Sequence, residues 1–375
     1  MNIFKKLLLV TVALLLWVGV ALYGGLAGWW LSPVAERGDA AQFHVAMVDL
    51  IEQETTGNLA YALVSKGEIT HRNFLTADEA IDENTLFATA SMTKWVTAYA
   101  VMTLVENNKL NLDAPITDYM SRWSLPASEY STSGVSVRHL LSHTSGLVDD
   151  LGFGDFQPEE PLPTLVDSLE TPRASSGEDV EIKLGQSAGE WRYSGGGYLI
   201  LQLIIEEVSG QKFADFVSQN VFEVAGMERS TFDYLGDFDN IARPFDEQGE
   251  PAPIFQYEAL AATGLSSTVN DLVEFVRAHT GSVEGGLSKN YIGELQAPHG
   301  RTMGADIWGL GTMLYAPTES GAYVFGHDGA NDPAINSAVR INPDTGDALI
   351  VLSSGHATLA STIGYHWTLW QTGVP

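Results

Sequence analysis

The chain contains no cysteine, which excludes disulfide bonds, cysteine-ligated metal sites and thiol catalysis. Basic residues are also scarce: 19 Lys and Arg stand against 47 Asp and Glu, which gives a formal net charge of −28. Binding to nucleic acid needs patches of Lys and Arg that meet phosphates, so this balance argues against a nucleic-acid partner. The same charge disfavours an anionic membrane surface. The spacing of His, Asp and Glu does not indicate a metal site.

One long hydrophobic run stands at the N-terminus, over residues 7–31, after Lys5 and Lys6. A spanning helix needs roughly 20 apolar residues, whereas the core of a signal peptide has about 7–15. Residues 1–37 are therefore predicted to be an uncleaved signal anchor and linker in the inner membrane, with the remaining chain on the periplasmic side. The alternative is a cleaved signal, with residues 25–27 as the cleavage site and a secreted or periplasmic product.

The remaining chain, residues 38–375, has strand patterns at both ends and helical patterns between them. Strands are predicted over 58–65, 69–74, 308–314, 322–325, 337–341 and 348–352, the first two joined by a hairpin at Lys66-Gly67. The clearest helices are predicted over 43–54, 196–208, 269–279 and 359–370. This order indicates an α+β fold: an antiparallel sheet flanked by helices (about 38–111 and 298–375) with a large all-helical insertion (about 112–297).

The stretch over residues 89–105 lacks Gly and Pro and is apolar on nearly every side, so it predicts a buried helix. Ser91 and Lys94 are three residues apart and therefore share a helix face. An amine in an apolar wall is poorly solvated as an ammonium, so Lys94 can take a proton from the Ser91 hydroxyl. The N–H of Ser91 lies in the first turn, where the helix favours negative charge, and is a candidate for half of an oxyanion hole.

Two later segments, both rich in glycine, carry further candidate groups. Tyr193 lies in a loop between Gly189 and Gly195, and its phenol could carry a proton between Ser91 and a leaving group. His327, Asp328 and Gly329 follow a predicted strand, and their glycine neighbours allow a substrate to lie along the backbone. The N–H of Ala330 is the candidate second donor of the oxyanion hole.

Three alternative interpretations compete with this one. Ser209 and Lys212 repeat the Ser-x-x-Lys spacing, but Gly210 should end the helix between them. Residues 185–189 match a Gly-x-Ser-x-Gly nucleophile elbow around Ser187, although such an elbow should lead straight into a helix. The chain could also be a catalytically silent binding protein on the same scaffold.

In chain order, residues 91–94 (Ser-Met-Thr-Lys), 193–195 (Tyr-Ser-Gly) and 327–329 (His-Asp-Gly) resemble the three motifs of the serine β-lactamase and penicillin-binding-protein superfamily. The likeness is greatest to its branch of class C β-lactamases, DD-peptidases and esterases, and residues 140–147 and 263–272 resemble further stretches of it. The resemblance covers the chain from about residue 43 onwards. It implies acylation of Ser91 followed by hydrolysis, without metal or cofactor, between the sheet and the helical part.

The departures from the family pattern bear on the substrate. Gly195 stands where many members carry an Asn that holds an acylamide group, and His327 and Asp328 stand where many carry Lys and Thr or Ser. Asp328 is therefore expected to face the substrate and to repel a carboxylate. This favours neutral esters, or D-amino-acid peptides and amides that present an ammonium. The alternative is a DD-carboxypeptidase or a weak β-lactamase.

Overall fold

The computed structural model describes residues 33–149, 151–174, 180–281 and 283–374. The hydrophobic run over residues 7–31 lies outside these ranges. Within them, no helix combines the length and the apolar character that crossing a membrane requires.

The central sheet has eight strands in the order β2-β1-β12-β11-β10-β9-β8-β7, and every neighbouring pair is antiparallel. It is built from both ends of the chain, as predicted. Two short pairs, β3–β6 and β4–β5, lie outside it. The strands are β1 (Leu59–Ser65), β2 (Glu68–Leu75), β3 (Phe87–Ala88), β4 (Leu147–Val148), β5 (Lys183–Leu184), β6 (Ser266–Ser267), β7 (Gly300–Thr302), β8 (Ala305–Trp308), β9 (Met313–Pro317), β10 (Tyr323–Asn331), β11 (Ile335–Asn342) and β12 (Asp347–Ser354).

Most of the helices lie between the two groups of sheet strands. A 3-10 turn, Ala90–Met92, leads into the buried helix predicted around Lys94. The α-helices are α1 (Ala40–Glu54), α2 (Thr93–Glu106), α3 (Val137–Leu141), α4 (Leu165–Glu170), α5 (Gly196–Ser209), α6 (Phe213–Val217), α7 (Glu223–Ala225), α8 (Leu260–Thr263), α9 (Val269–His279), α10 (Lys289–Gln296) and α11 (Leu359–Thr372).

The sheet separates two hydrophobic cores, because side chains alternate between the faces of each strand. On one face, residues such as Ala62 and Ile350 pack against α2 and α9 and join the core of the helical part. On the other face, residues such as Tyr61 and Val351 pack against α1 and α11. Helices α1 and α11 thus cover one side of the sheet, and α2 lies on the opposite side.

Most predicted elements are confirmed, and the differences have local causes. The hairpin turn is formed by Lys66 and Gly67, both with positive φ, as a tight turn between right-twisted strands requires. The strand predicted over 308–314 is instead the end of β8 and the start of β9. Gly311, with a φ of 68°, turns the chain between them, and a Cβ there would lie 2.3 Å from Cβ of Ala98 on α2.

Candidate active site

Ser91 lies in the 3-10 turn that precedes α2. Ala90 has a φ of 50°, a left-handed conformation that is costly for a residue with a Cβ. The turn is held by hydrogen bonds from both sides. Oγ1 of Thr93 donates to the carbonyl of Ala90 at 2.6 Å, and the N–H of Leu265 donates to the same Oγ1 at 3.1 Å. These contacts fix the strained turn that presents the Ser91 hydroxyl.

Lys94 is fully buried one turn further along. Its Nζ lies 3.2 Å from Oγ of Ser91 and 2.8 Å from the carbonyl oxygen of Ala262. A carbonyl oxygen only accepts, so the amine must donate one N–H to Ala262. That bond aims the rest of the amine at Ser91. The predicted serine–lysine pair is therefore assembled, with a geometry suited to proton transfer between the two side chains.

Tyr193 lies in the loop between β5 and α5, beside the same amine. Its ring centroid is 5.0 Å from Nζ of Lys94. The loop is held by Asp149, whose buried carboxylate accepts from Oγ of Ser194 and from the N–H of Gly196 at 2.7 Å. Burial raises the pKa of Asp149, while these hydrogen bonds oppose that rise. Sequence reasoning missed Asp149, and only its partners at the start of α5 reveal this role.

Three contacts join His143 to the segment around Tyr193. Its carbonyl accepts the N–H of Arg192 at 2.7 Å, and its Nδ1 accepts the N–H of Ser194 at 3.1 Å. Its ring centroid lies 4.4 Å from that of Tyr193. The only sequence signal for this residue was the family-like stretch over 140–147, which gave it no role.

Gly195 shows why the amide of the family pattern is absent. A Cβ at this position would lie 2.1 Å from the carbonyl oxygen of Leu151 and 2.6 Å from the ring of Phe153. The loop over residues 151–153 therefore occupies the space that an Asn side chain would need. Gly195 permits a close approach of two loops, and its predicted contact with substrate is limited to its backbone.

His327 and Asp328 are adjacent on β10 and point to opposite faces of the sheet. His327 is fully buried, and its Nδ1 lies 2.5 Å from the carbonyl oxygen of Asp328. Because that oxygen only accepts, Nδ1 carries the proton and Nε2 is left as an acceptor, without a partner among the described residues. Burial and the charge of Lys94 lower the pKa of His327 to about 3, so its ring is neutral at ordinary pH.

The expectation that Asp328 faces the substrate is wrong. Its carboxylate lies 2.7 Å from Nη2 of Arg340 and accepts the Tyr315 hydroxyl at 2.8 Å, on the face that α11 covers. Strand alternation sends this side chain away from Ser91, and Arg340 neutralises it. Repulsion by Asp328 therefore contributes nothing to substrate choice in this geometry.

Gly329 brings β10 against the turn that carries Ser91. A Cβ on Gly329 would lie 2.3 Å from the carbonyl oxygen of Thr89 and 3.0 Å from the N of Met92. Pairing of β10 with β9 ends at Gly326. Ala330, the residue after Gly329, lies past that point and is exposed. The backbone of Ala330 thus runs beside the Ser91 turn, and its role as the second oxyanion donor stays a prediction.

The competing serine motifs lack the required surroundings. Ser187 is exposed in the loop after β5, and the next helix begins only at Gly196. Gly210 ends α5 in a left-handed conformation between Ser209 and Lys212, as predicted. Across the described ranges, no group of three or more His, Asp or Glu side chains is arranged to hold a metal ion.

Two features define an active-serine protein with a β-lactamase-like fold. A buried lysine contacts a serine at the start of a helix, and that helix packs on an antiparallel sheet whose strands come from both ends of the chain. A family model described as Beta-lactamase matches residues 46–367, and the chain belongs to this family.

Two relatives and one solved structure illustrate the family. Penicillin-binding protein 4* of Bacillus subtilis is 34% identical over 160 residues, which cover 42% of this chain and 32% of the relative. Esterase EstB of Burkholderia gladioli is 30% identical over 253 residues, 60% of either chain. The structure of D-amino acid amidase from Ochrobactrum anthropi with D-phenylalanine has a TM-score of 0.68 at 22% identity, covering 89% of this chain and 98% of the amidase. The aligned residues thus span less than two thirds of the length of each of these two sequence relatives. At 22% identity, the likeness to the amidase shows a shared fold and nothing further.

Proposed function

We propose that this protein is a serine hydrolase that forms an acyl-enzyme on Ser91. The observation that carries the proposal is the position of Lys94, whose Nζ is held by the Ala262 carbonyl at 2.8 Å and lies 3.2 Å from Oγ of Ser91. A buried amine fixed in this way serves as the base for the serine hydroxyl. The kinship with an esterase and penicillin-binding proteins supports the same conclusion.

The reaction has two steps. Oγ of Ser91 attacks the carbonyl carbon of an ester or amide while its proton passes to the uncharged form of the Lys94 amine. The oxyanion is stabilised by the N–H groups of Ser91 and Ala330, and Tyr193 passes the proton to the departing alcohol or amine. Water then attacks the acyl-enzyme through the same groups, which releases the acid and restores the Ser91 hydroxyl.

Neutral esters and amides, including D-amino-acid amides, are the proposed substrates. Many family members carry a Lys at the position that corresponds to His327, where it holds a substrate carboxylate. The imidazole of His327 is neutral here. A neutral partner lacks the charge-assisted hydrogen bond that Lys would give, which is worth roughly 1.5–3 kcal/mol. The second candidates are a DD-carboxypeptidase or a weak β-lactamase, favoured by the penicillin-binding relative.

Covalent labelling tests the proposal. The full chain and its Ser91→Ala variant are treated with a fluorophosphonate probe, and hydrolysis of a short-chain p-nitrophenyl ester is followed in parallel. We expect labelling and turnover in the wild type and neither in the variant. A wild-type protein that is folded yet neither labels nor hydrolyses the ester would instead be a silent binding protein.

We also propose that residues 7–31 anchor the protein in the inner membrane with its catalytic part on the periplasmic side. Lys5 and Lys6 before an uncharged run of this length support it. After expression of the full chain, membranes are washed with high salt. Retention with the membranes is expected, whereas recovery as a soluble chain beginning near Gly28 would indicate a cleaved signal.

A further inference from the structure

The ring of Tyr193 must be held in place by residues outside its own loop. The ring is only partly buried, and it contacts Lys94, His143 and Trp308. Hydrogen bonds to Asp149 hold the chain after Tyr193, at Ser194 and Gly196, but they do not reach the tyrosine side chain. The direction of the phenol must therefore be set by what packs against the ring.

His143 supplies that packing. One residue accepts the N–H groups on both sides of the tyrosine, from Arg192 at 2.7 Å and from Ser194 at 3.1 Å. Its imidazole then lies against the phenol, with ring centroids 4.4 Å apart and planes inclined by 38°. His143 thus contacts the backbone on both sides of Tyr193 as well as its ring, and Trp308 lies edge-on to the same ring at 5.8 Å.

His143 is itself rigidly placed. It is 1% exposed, and its ring packs edge-on against Trp308 at 4.7 Å. Its φ of 56° is left-handed, a conformation that His and Asn tolerate better than most residues. Burial and the charge of Lys94 hold its pKa well below 6.5, so the ring is neutral, with the proton on Nε2 because Nδ1 accepts from Ser194.

We propose that His143 is a positioning residue, which holds the phenol of Tyr193 in line with Lys94 and the leaving group. The inference rests on the proposed function, because it assumes that Tyr193 transfers a proton. Misplacing a catalytic group by about 1 Å can cost on the order of 100-fold in rate, so a small shift of this ring is costly. A residue that merely fills the core would lower stability without acting through Tyr193.

A double-mutant cycle separates these cases. Wild type, His143→Ala, Tyr193→Phe and the double variant are compared in kcat and KM for one p-nitrophenyl ester. We expect His143→Ala to lower kcat by about 10- to 100-fold with little change in KM. In the Tyr193→Phe background the same change should cost less than about threefold, because the group that His143 positions is already lost.

Two further variants control for folding. His143→Asn keeps an acceptor for the Ser194 N–H and tolerates the left-handed backbone but lacks the ring, so we expect a smaller loss of kcat that again vanishes with Tyr193→Phe. If His143→Ala fails to fold, His143→Asn carries the cycle. His279→Ala removes an equally buried, aromatic-packed histidine on α9, and should lower Tm without this coupling to Tyr193.

The outcomes also separate this inference from the proposed function. Equal losses from the His143 change in both backgrounds, or a kcat within twofold of wild type in folded His143→Ala, would overturn the positioning role while leaving the hydrolase intact. Absence of ester hydrolysis and of Ser91 labelling in the wild type would overturn both.

Discussion

Nη2 of Arg340 on β11 lies 2.7 Å from Oδ2 of Asp328 on β10, and the two side chains are 6% and 17% exposed. Nη1 of the same guanidinium donates to Oγ1 of Thr368 on α11 at 2.9 Å, while the Tyr315 hydroxyl on β9 donates to Asp328 at 2.8 Å. The ion pair of Asp328 and Arg340 therefore links β9, β10 and β11 to α11. Its sequence neighbour, His327, lies on the side that holds Ser91.

Asp328→Ala should destabilise the protein and leave its substrate preference unchanged. Removing one partner of a buried ion pair typically costs about 3–5 kcal/mol, because Arg340 stays buried without a counter-ion. Urea unfolding measures this loss. Glu319→Ala, which breaks an exposed pair with Arg37, is the control and should cost about 0–1 kcal/mol. A tenfold change in the relative kcat/KM of neutral and acidic substrates in Asp328→Ala would show that Asp328 does face the substrate.

His327→Lys should improve the relative use of substrates that carry a free carboxylate. An ammonium at this position restores a charge-assisted hydrogen bond, and the kcat/KM ratio of acidic to neutral substrate should rise by about one to two orders of magnitude. The measurement compares one acyl group as its methyl ester and as its glycolate ester, at low and high salt. His327→Gln is the neutral control and should leave the ratio near that of the wild type. An unchanged ratio in the Lys variant would contradict the role given to position 327.

Lys94→Ala and Tyr193→Phe should each lower kcat/KM for a p-nitrophenyl ester by at least about two orders of magnitude, as expected for a positioned base or acid. Lys212→Ala, in the second Ser-x-x-Lys match, should have no effect, because Gly210 separates its two residues. Near-normal turnover in either of the first two variants would remove that residue from the proposed reaction.

Gly329→Ala should impair catalysis more than stability. Its Cβ would lie 2.3 Å from the Thr89 carbonyl, so β10 must move away from the Ser91 turn. We expect a loss of roughly 10- to 100-fold in kcat, with Tm recorded in parallel. Gly293→Ala in α10 has open space around the added methyl group, and the helix propensity of Ala should leave it neutral or slightly stabilised. Wild-type kcat in Gly329→Ala would mean that β10 can retreat without harm to the site.

Glu258→Gln should stabilise the protein at pH 8 and much less at pH 4.5. Burial raises the pKa of Glu258 from 4.5 to about 7. The folded state therefore holds this proton more tightly than the unfolded state, and the resulting stability is complete below pH 4.5 and lost as the pH rises through about 7. The neutral amide avoids that loss, which is on the order of 1–3 kcal/mol. Urea unfolding of both proteins at the two pH values checks it, and an equal ΔΔG at both would contradict the raised pKa.

The elements with strong local signals were predictable from the sequence. Helix α9 has the predicted bounds, Val269–His279, and Ser91 meets Lys94 because a spacing of three fixes a helix face. The strand before His327 was predicted to end at Phe325, since Gly326 and Gly329 weaken a strand pattern. In the structure β10 continues to Asn331, and its alternation turns Asp328 away from the site.

Local sequence patterns could not predict contacts between segments that are distant in the chain. His143 and Ser194 are separated by 51 positions, and nothing in either segment encodes that pairing. Gly195 was interpreted as a missing amide because the sequence does not show that Leu151 fills the space beside it. Such relationships depend on how loops pack, which period and propensity do not specify.

The carbonyl that orients Lys94 belongs to Ala262, 168 positions further along the chain. Thr97, on the next turn of α2, likewise donates to the carbonyl of Ala261. Contacts of such long range require a large loop to close, so Lys94 is oriented only when both segments are in place. A refolding chain should therefore regain turnover no earlier than residues 261–262 dock on α2, and the recovery of hydrolysis reports that docking step.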